Sequence, residues 1–265
     1  MVFAWFRDQH RRSIAEQPFP TEWMACLTTN VAHYALLDEA EQQELQQDTQ
    51  IFIAEKYWEG VGGLEITDEM QVTIAAQACL LVLHREHDYY PNVESIILYP
   101  TGYTAKDTTP GPDGIVHETL SERLGEAWGN GPVVLSWADV QAGGRNDNDG
   151  RNVVFHEFAH KLDMRDGSAD GVPRLESDAD FDQWAAVMSK EYEALVAQSA
   201  HGRASLLDSY GATNAAEFFA VATECFFEKS RQMQQTHGSL YAVMRDFYQQ
   251  DPAARLEAKI THRHL

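Results

Sequence analysis

The sequence predicts an α+β fold, mainly helical, with a small sheet held between two helical blocks. Three observations predict it. Apolar residues recur at three- and four-residue spacing through the first third and again from Asn152 onward. Short aliphatic runs bounded by Gly, Pro and Thr cluster in the middle. Strand and helix patterns do not alternate, which argues against a doubly wound α/β sheet. The chain then divides into a helical N-terminal lobe, 1–92, and a region 93–265 that carries the chemistry, the two able to pack as one continuous domain.

Taken in order, Trp23, Leu27, Val31, Tyr34 and Leu37 mark the first helical face. Asp38-Glu39-Ala40-Glu41 opens a second helix, carried through Leu45, Ile51, Phe52 and Tyr57 and broken by Gly60 to Gly63. Thr67, followed by Asp68 and Glu69, reads as an N-cap with an acidic first turn, leading a buried helix through Leu83. On this reading the first third is all-helical and carries no chemistry. Glu94 to Tyr99 reads as a strand stopped by Pro100, Thr101 to Gly114 as a loop, and Ile115 to Glu118 and Pro132 to Ser136 as short strands. Gly143 to Gly150 is a polar loop, after which helices resume.

Composition narrows the function classes. The 265 residues include 41 Asp and Glu against 20 Lys and Arg, a formal net charge of −21, while 44% are apolar. Six Trp, 10 Tyr and 12 Phe among them can fill a core, so general disorder is excluded. Such acidity repels a phosphate backbone, so no direct nucleic-acid partner is expected; solubility is its ordinary meaning, and a cationic patch on a partner protein the other. Cys26, Cys79 and Cys225 are odd in number and form no CxxC, which points to free thiols in a reducing compartment. The apolar run at Val2 to Phe6 is too short for a signal segment, and the longest elsewhere, Ala78 to Leu83, falls far below the ~20 residues of a membrane span. A cytoplasmic protein without a membrane partner is expected.

The chemistry lies in His156-Glu157-Phe158-Ala159-His160, an HExxH motif. Asp147, Asn148 and Asp149 offer helix caps before it, and Val153, Val154, Phe155, Phe158, Ala159 and Leu162 supply a buried face. Residues four apart share one face of a helix, so both imidazoles reach a single metal ion. Glu157, turned about 100° from His156, can touch a water on that metal without ligating it. Zinc suits two imidazoles plus a carboxylate, with a fourth position for water. A chance HExxH in such a chain has a probability of roughly 3–4%, low enough to make the motif a strong signal. The third ligand must come from elsewhere. Glu217 and Glu224, seven apart in an amphipathic stretch, lie near one face, and Glu228 is a weaker option; spacing does not choose among them. Asp163, seven residues beyond His156, suits either a carboxylate supporting the ligands or a solvated acid in the last turn.

Val116-His117, Gly131-Pro132-Val133-Val134-Leu135, the motif extended by Lys161-Leu162-Asp163, Gly171-Val172-Pro173, Asp208-Ser209-Tyr210, Ala216-Glu217-Phe218-Phe219-Ala220-Val221 and Phe247 to Pro252 together resemble the family of Mlc titration factor A, glucose-regulated metallopeptidases of bacteria. The likeness runs from about residue 95 to 256; the first third matches mainly in pattern. It implies His156, His160 and Glu217 as zinc ligands and Glu157 as catalytic base, and it places His117 close to the metal, as a fourth ligand closing a resting site or a hydrogen-bond donor to substrate. Tyr210, seven residues before Glu217, stands at a spacing similar to that in the catalytic domain of anthrax lethal factor, where a tyrosine serves the transition state; the alternative is a Tyr packed at a helix entrance. The implied fold is zincin-like, resembling that lethal factor domain.

The resulting expectation is a zinc metallopeptidase, aminopeptidase-like, acting on a peptide or amino-acid amide. A substrate amine would need an acidic anchor, for which Glu118, Glu122 and Glu224 are candidates. The family also implies binding and sequestering of the glucose repressor Mlc. The rival reading is a regulatory protein-binding module whose zinc site is latent or structural, and a hydrolase of non-peptide amides or esters would use the same residues.

Overall fold

The computed structural model describes residues 2–85, 88–110, 116–123, 125–127, 131–175 and 177–263, with side chains left undescribed at 2–4, 103–110, 116–123, 125–127 and 261–263. Helices α1 (Val2–Ala15), α2 (Thr21–Asn30) and α3 (Glu39–Glu55) lead to strand β1 (Tyr57–Gly60) and helix α4 (Asp68–Leu80). Strands β2 (Ser95–Tyr99), β3 (Tyr103–Pro110), β4 (Val116–Arg123), β5 (Gly125–Ala127) and β6 (Val133–Ser136) follow. Helices α5 (Trp137–Arg145), α6 (Val153–Asp163), α7 (Asp178–Ala200), α8 (Ala215–Glu228), α9 (Ser230–Thr236), α10 (Gly238–Tyr248) and α11 (Pro252–Arg263) complete the chain. The architecture is α+β and mostly helical.

Local signals explain the helix starts. Asp38 and Glu41 form a reciprocal capping box at α3, and the Thr67 side chain accepts the Met70 N–H at α4. From Met70 to Leu80 every residue of α4 except Gln71 is buried, and this helix forms the centre of the core. The main sheet has the order β1-β2-β6-β5, the first three strands parallel and β5 antiparallel at one edge. Parallel neighbours need a crossover, which α4 provides between β1 and β2. Ile96, Leu98, Val133 and Leu135 are fully buried, and α6 brings Phe155 and Phe158 into the same core. Phe158 meets Phe52 and Tyr90 edge-on, at ring-centroid distances of 5.8 and 4.8 Å.

Four expectations are corrected. The loop expected from Gly143 to Gly150 starts later, because α5 runs to Arg145 and buries Gly143 and Gly144 where a side chain would strike Asn152 and the Asn30 carbonyl. The second helix ends at Glu55 and does not reach Tyr57, so the first third is not all-helical. Lys56 donates to the carbonyls of Tyr90 and Val93 and the Tyr57 N–H to that of Glu94, which lays Tyr57–Gly60 beside β2; pairing across the chain overrides local helical periodicity. Within the expected loop 101–114, Tyr103–Pro110 is a strand paired antiparallel with Val116–Arg123, Thr109 standing opposite His117; β4 is thus longer than the strand read at Ile115 to Glu118, and residue 115 itself lies outside the described residues. The cap of α6 is Asn152, whose side chain accepts the Phe155 N–H, because the 147–149 carboxylates fall in a turn that ends before the helix begins. Helix α1, which periodicity did not reveal, precedes Thr21. Among the described residues no helix is long and apolar enough to cross a membrane. Cys79 and Cys225 are buried, Cys26 is half-buried, and all three are free.

Candidate metal centre

Two helices build the centre. On α6, Val154, Phe155, Phe158 and Ala159 are fully buried, and this anchoring turns His156 and His160 together toward α8, ring centroids 4.9 Å apart. On α8, Asn214 caps the first turn by accepting the Glu217 N–H, leaving the Glu217 side chain to reach across. Its Oε2 lies 3.0 Å from His156 Nε2 and 3.4 Å from His160 Nε2, and the two imidazole Nε2 atoms are 3.3 Å apart. These residues are the one cluster of three or more such donors, among the described residues, placed to hold a metal ion.

The triangle suits a metal. Ligands at ~2.0–2.1 Å in a tetrahedron stand about 3.3 Å from one another, close to all three edges observed here. Electrostatics agree. Burial would push the His156 imidazole down, but bonds to Glu217 and Glu224 outweigh it and hold the ring well above its ordinary range. Burial likewise opposes ionisation of Glu217, yet His156 and His160 bring its carboxyl down to about 2. Glu217 is thus a carboxylate, the charge state a cation requires of it, and a metal ion would take the place of the proton that His156 holds toward it.

Glu157 and Tyr210 lie beside this triangle. Glu157 is buried, one turn before Lys161. Lys161 is itself fully buried and donates to the Gly131 carbonyl at 2.9 Å, and burial pushes its ammonium down to about 8 against the pull of Glu157. Tyr210 lies in a short 3₁₀ turn, Ser209–Ala212, whose start is capped by Asp208. Its ring is exposed, with its centroid 6.0 Å from that of His156. His117, Glu118 and Glu122 lie on β4, and their side chains fall outside what the structure describes.

Of the three glutamates that spacing left open, only Glu217 faces both Nε2 atoms. Glu224 bonds the far side of the ring, Oε1 to His156 Nδ1 at 2.7 Å, while its Oε2 accepts the Asn152 N–H at 2.6 Å. Both oxygens are engaged, so Glu224 is not available to anchor a substrate amine. Glu228 lies further along, its Oε2 accepting the N–H groups of Gly150 and Arg151. Asp163 is fully buried, which removes the solvated reading. It accepts the N–H of Gly171, which packs against the start of α8, and burial pushes its carboxyl up to about 6. Glu224 and Asn152 had a signal in the sequence, their spacing and their capping propensity, but not one that paired them.

A half-buried carboxylate held against two imidazoles of a neighbouring helix, with a further glutamate beside the first imidazole, is an arrangement that metal-assisted hydrolysis accounts for and core packing does not. The chain belongs to the family described as glucose-regulated metallo-peptidase M90, which matches residues 5–249. It is 38% identical over 247 residues to the uncharacterized protein slr2042 of Synechocystis sp. (strain PCC 6803), covering 92% of this chain and 90% of that protein. It is 35% identical over 224 residues to Mlc titration factor A of Serratia proteamaculans, covering 83% and 84% of the two chains. With Mlc titration factor A of Klebsiella pneumoniae (strain ATCC 700721) it shares 34% over 261 residues, 96% and 94% of the two. The resemblance read from the sequence is thereby borne out and extends into the N-terminal third. Membership of a metallopeptidase family implies a metal ion, and the His156, His160 and Glu217 donors fit one.

Proposed function

We propose that the protein is a zinc-dependent peptidase, aminopeptidase-like, with His156, His160 and Glu217 as metal ligands and Glu157 as general base. The observation that carries this is the convergence of three donors from two helices to within 3.0–3.4 Å, beside a buried glutamate. Two neutral imidazoles and one carboxylate are a donor set suited to zinc, which when bound supplies Lewis acidity and makes water a nucleophile near neutral pH. Glu157 takes the proton from the attacking water and passes it to the nitrogen of the leaving amine. Tyr210, beside the His156 ring, donates its phenolic hydrogen toward the developing oxyanion. Lys161 holds the Gly131 carbonyl and so ties the base-bearing helix to the chain entering β6. His117 remains a proposed fourth donor, carried by the resemblance alone.

A zincin-like fold resembling the catalytic domain of lethal factor is supported by the mixed sheet edge of β5 and β6 beside α6 and by the position of Tyr210 before α8. Packing of the two regions as one continuous domain is supported by the pairing of β1 with β2 and by α4 at the centre of the shared core. A reducing, cytoplasmic setting is in keeping with three free thiols. With Glu224 engaged, a substrate's free amine is left to Glu118 or Glu122 of β4. Binding of the repressor Mlc rests on the name of the relatives, Mlc titration factor A.

The test is hydrolysis of a panel of amino-acid anilides by zinc-loaded wild type and by Glu157→Gln. The expected outcome is turnover in wild type reduced about 10²–10⁴-fold in the variant at unchanged metal content. Wild-type turnover in the variant would remove Glu157 from its role. Equal rates on N-acetylated substrates would refute an aminopeptidase.

A further inference from the structure

We infer that Glu224 is the positioning residue of the metal centre: it fixes the tautomer and aim of His156 from behind the ring while tying the start of α6 to α8. The inference rests on the metal-ligand reading above. The His156 imidazole is held at both nitrogens by carboxylates of one helix, Nε2 by Glu217 at 3.0 Å and Nδ1 by Glu224 at 2.7 Å. Seven residues separate the two glutamates, two helical turns or about 10 Å of rise, so α8 works as a rigid frame around the ring. For Nε2 to donate its lone pair to a cation, the single ring proton must sit on Nδ1, and a carboxylate acceptor at Nδ1 enforces that.

The second oxygen of Glu224 makes the frame continuous. It accepts the Asn152 N–H at 2.6 Å; the Asn152 side chain caps α6 at Phe155 and is gripped in turn by Gln77 of α4 at 2.8 Å. One carboxylate therefore sets both where α6 begins and how its first imidazole is turned. His160 has no counterpart among the described residues, where its Nδ1 is buried without a hydrogen-bond partner. Orientation of the site consequently depends on Glu224 more than on any support behind the second histidine. Exchanging it for Gln keeps shape and an acceptor but turns an amide N–H toward Nδ1. That favours the tautomer with its proton on Nε2, the atom a cation needs.

The test uses the full chain stripped of metal, with Zn²⁺ and Co²⁺ alone as probes. Affinity is measured by competition with a chelator, geometry by the visible spectrum of the Co²⁺ form, and stability by the melting temperature of the metal-free protein. Glu224→Gln is expected to bind both ions about 10–100-fold more weakly, with an altered Co²⁺ spectrum. Asn152→Ala, which removes the cap and leaves His156 untouched, is expected to lower the metal-free melting temperature while keeping affinity within about threefold of wild type. The inference is overturned if Glu224→Gln binds within about twofold of wild type, or if Asn152→Ala loses as much affinity as Glu224→Gln. Should Glu224→Gln not fold, Glu224→Asp, too short to reach both partners, is judged by the same criteria. Failure of the underlying reading looks different: wild type would bind no divalent ion at one equivalent, or His160→Ala would leave affinity unchanged.

Discussion

Replacing Glu228 by Gln should make the stability of the protein less sensitive to rising pH. Glu228 is 3% exposed; its Oε2 accepts two backbone N–H groups at 2.8 and 2.9 Å, and its Oε1 is buried without a hydrogen-bond partner among the described residues. Burial, reinforced by Asp149, pushes its carboxyl up from 4.5 to about 9. The folded state therefore keeps a proton that the unfolded chain releases once pH passes 4.5, and between 4.5 and 9 the folded state binds more protons than the unfolded one. Stability contributed by this group is full below the unfolded value and is lost as pH climbs toward the folded one, at about 1.4 kcal/mol per pH unit. From pH 5.5 to 8 that amounts to about 3 kcal/mol, or on the order of 10 °C in melting temperature for a chain of this size. Glutamine retains the acceptor for Gly150 and Arg151 and does not titrate. Thermal melts of both proteins across this range isolate the effect, because the other titrating groups are common to both. The variant should gain on wild type steadily with pH. A constant difference between the two would refute the reasoning.

Two further substitutions probe the frame behind the site. Phe158→Ala removes a fully buried ring packed edge-on against Phe52 and Tyr90, and should cost about 3–5 kcal/mol, seen as a lower denaturant midpoint; a cost under about 1 kcal/mol would mean the core closes over the gap. Gly171 holds φ at 77°, and a Cβ there would lie 2.4 Å from the Ala215 carbonyl oxygen at the start of α8. Gly171→Ala should therefore destabilise by about 2 kcal/mol or more and weaken metal binding through displaced Glu217, and an unchanged melting temperature would contradict it.

What was legible in the sequence was local. Thr67 and the Asp38–Glu41 box announced their helices because caps act over three residues. His156 and His160 announced a shared face because a helix places residues four apart one above the other. The strand at Tyr57–Gly60 and the hairpin of β3 with β4 were not legible, since pairing partners 35 or more residues away in the first case, and a Thr- and Asp-rich composition in the second, hide the extended backbone. Asp163 looked as much like a solvated acid as a buried one, and only the start of α8 and Gly171 closing over it decide.

By itself, then, the sequence determined the helical motif, its pair of imidazoles, the neighbouring glutamate and the family, all of which depend on residues within a turn or on matched segments. It could not choose among Glu217, Glu224 and Glu228, because on an isolated helix residues seven or eleven apart drift only ~20° from one another and look alike. The packing of α8 against α6 makes the choice. It sets Glu217 against the Nε2 atoms, Glu224 behind the His156 ring and Glu228 under the loop at Gly150, three roles for one residue type along a single helix. That assignment belongs to the tertiary structure, since it depends on how two apolar helix faces, distant in the chain, exclude water from between them.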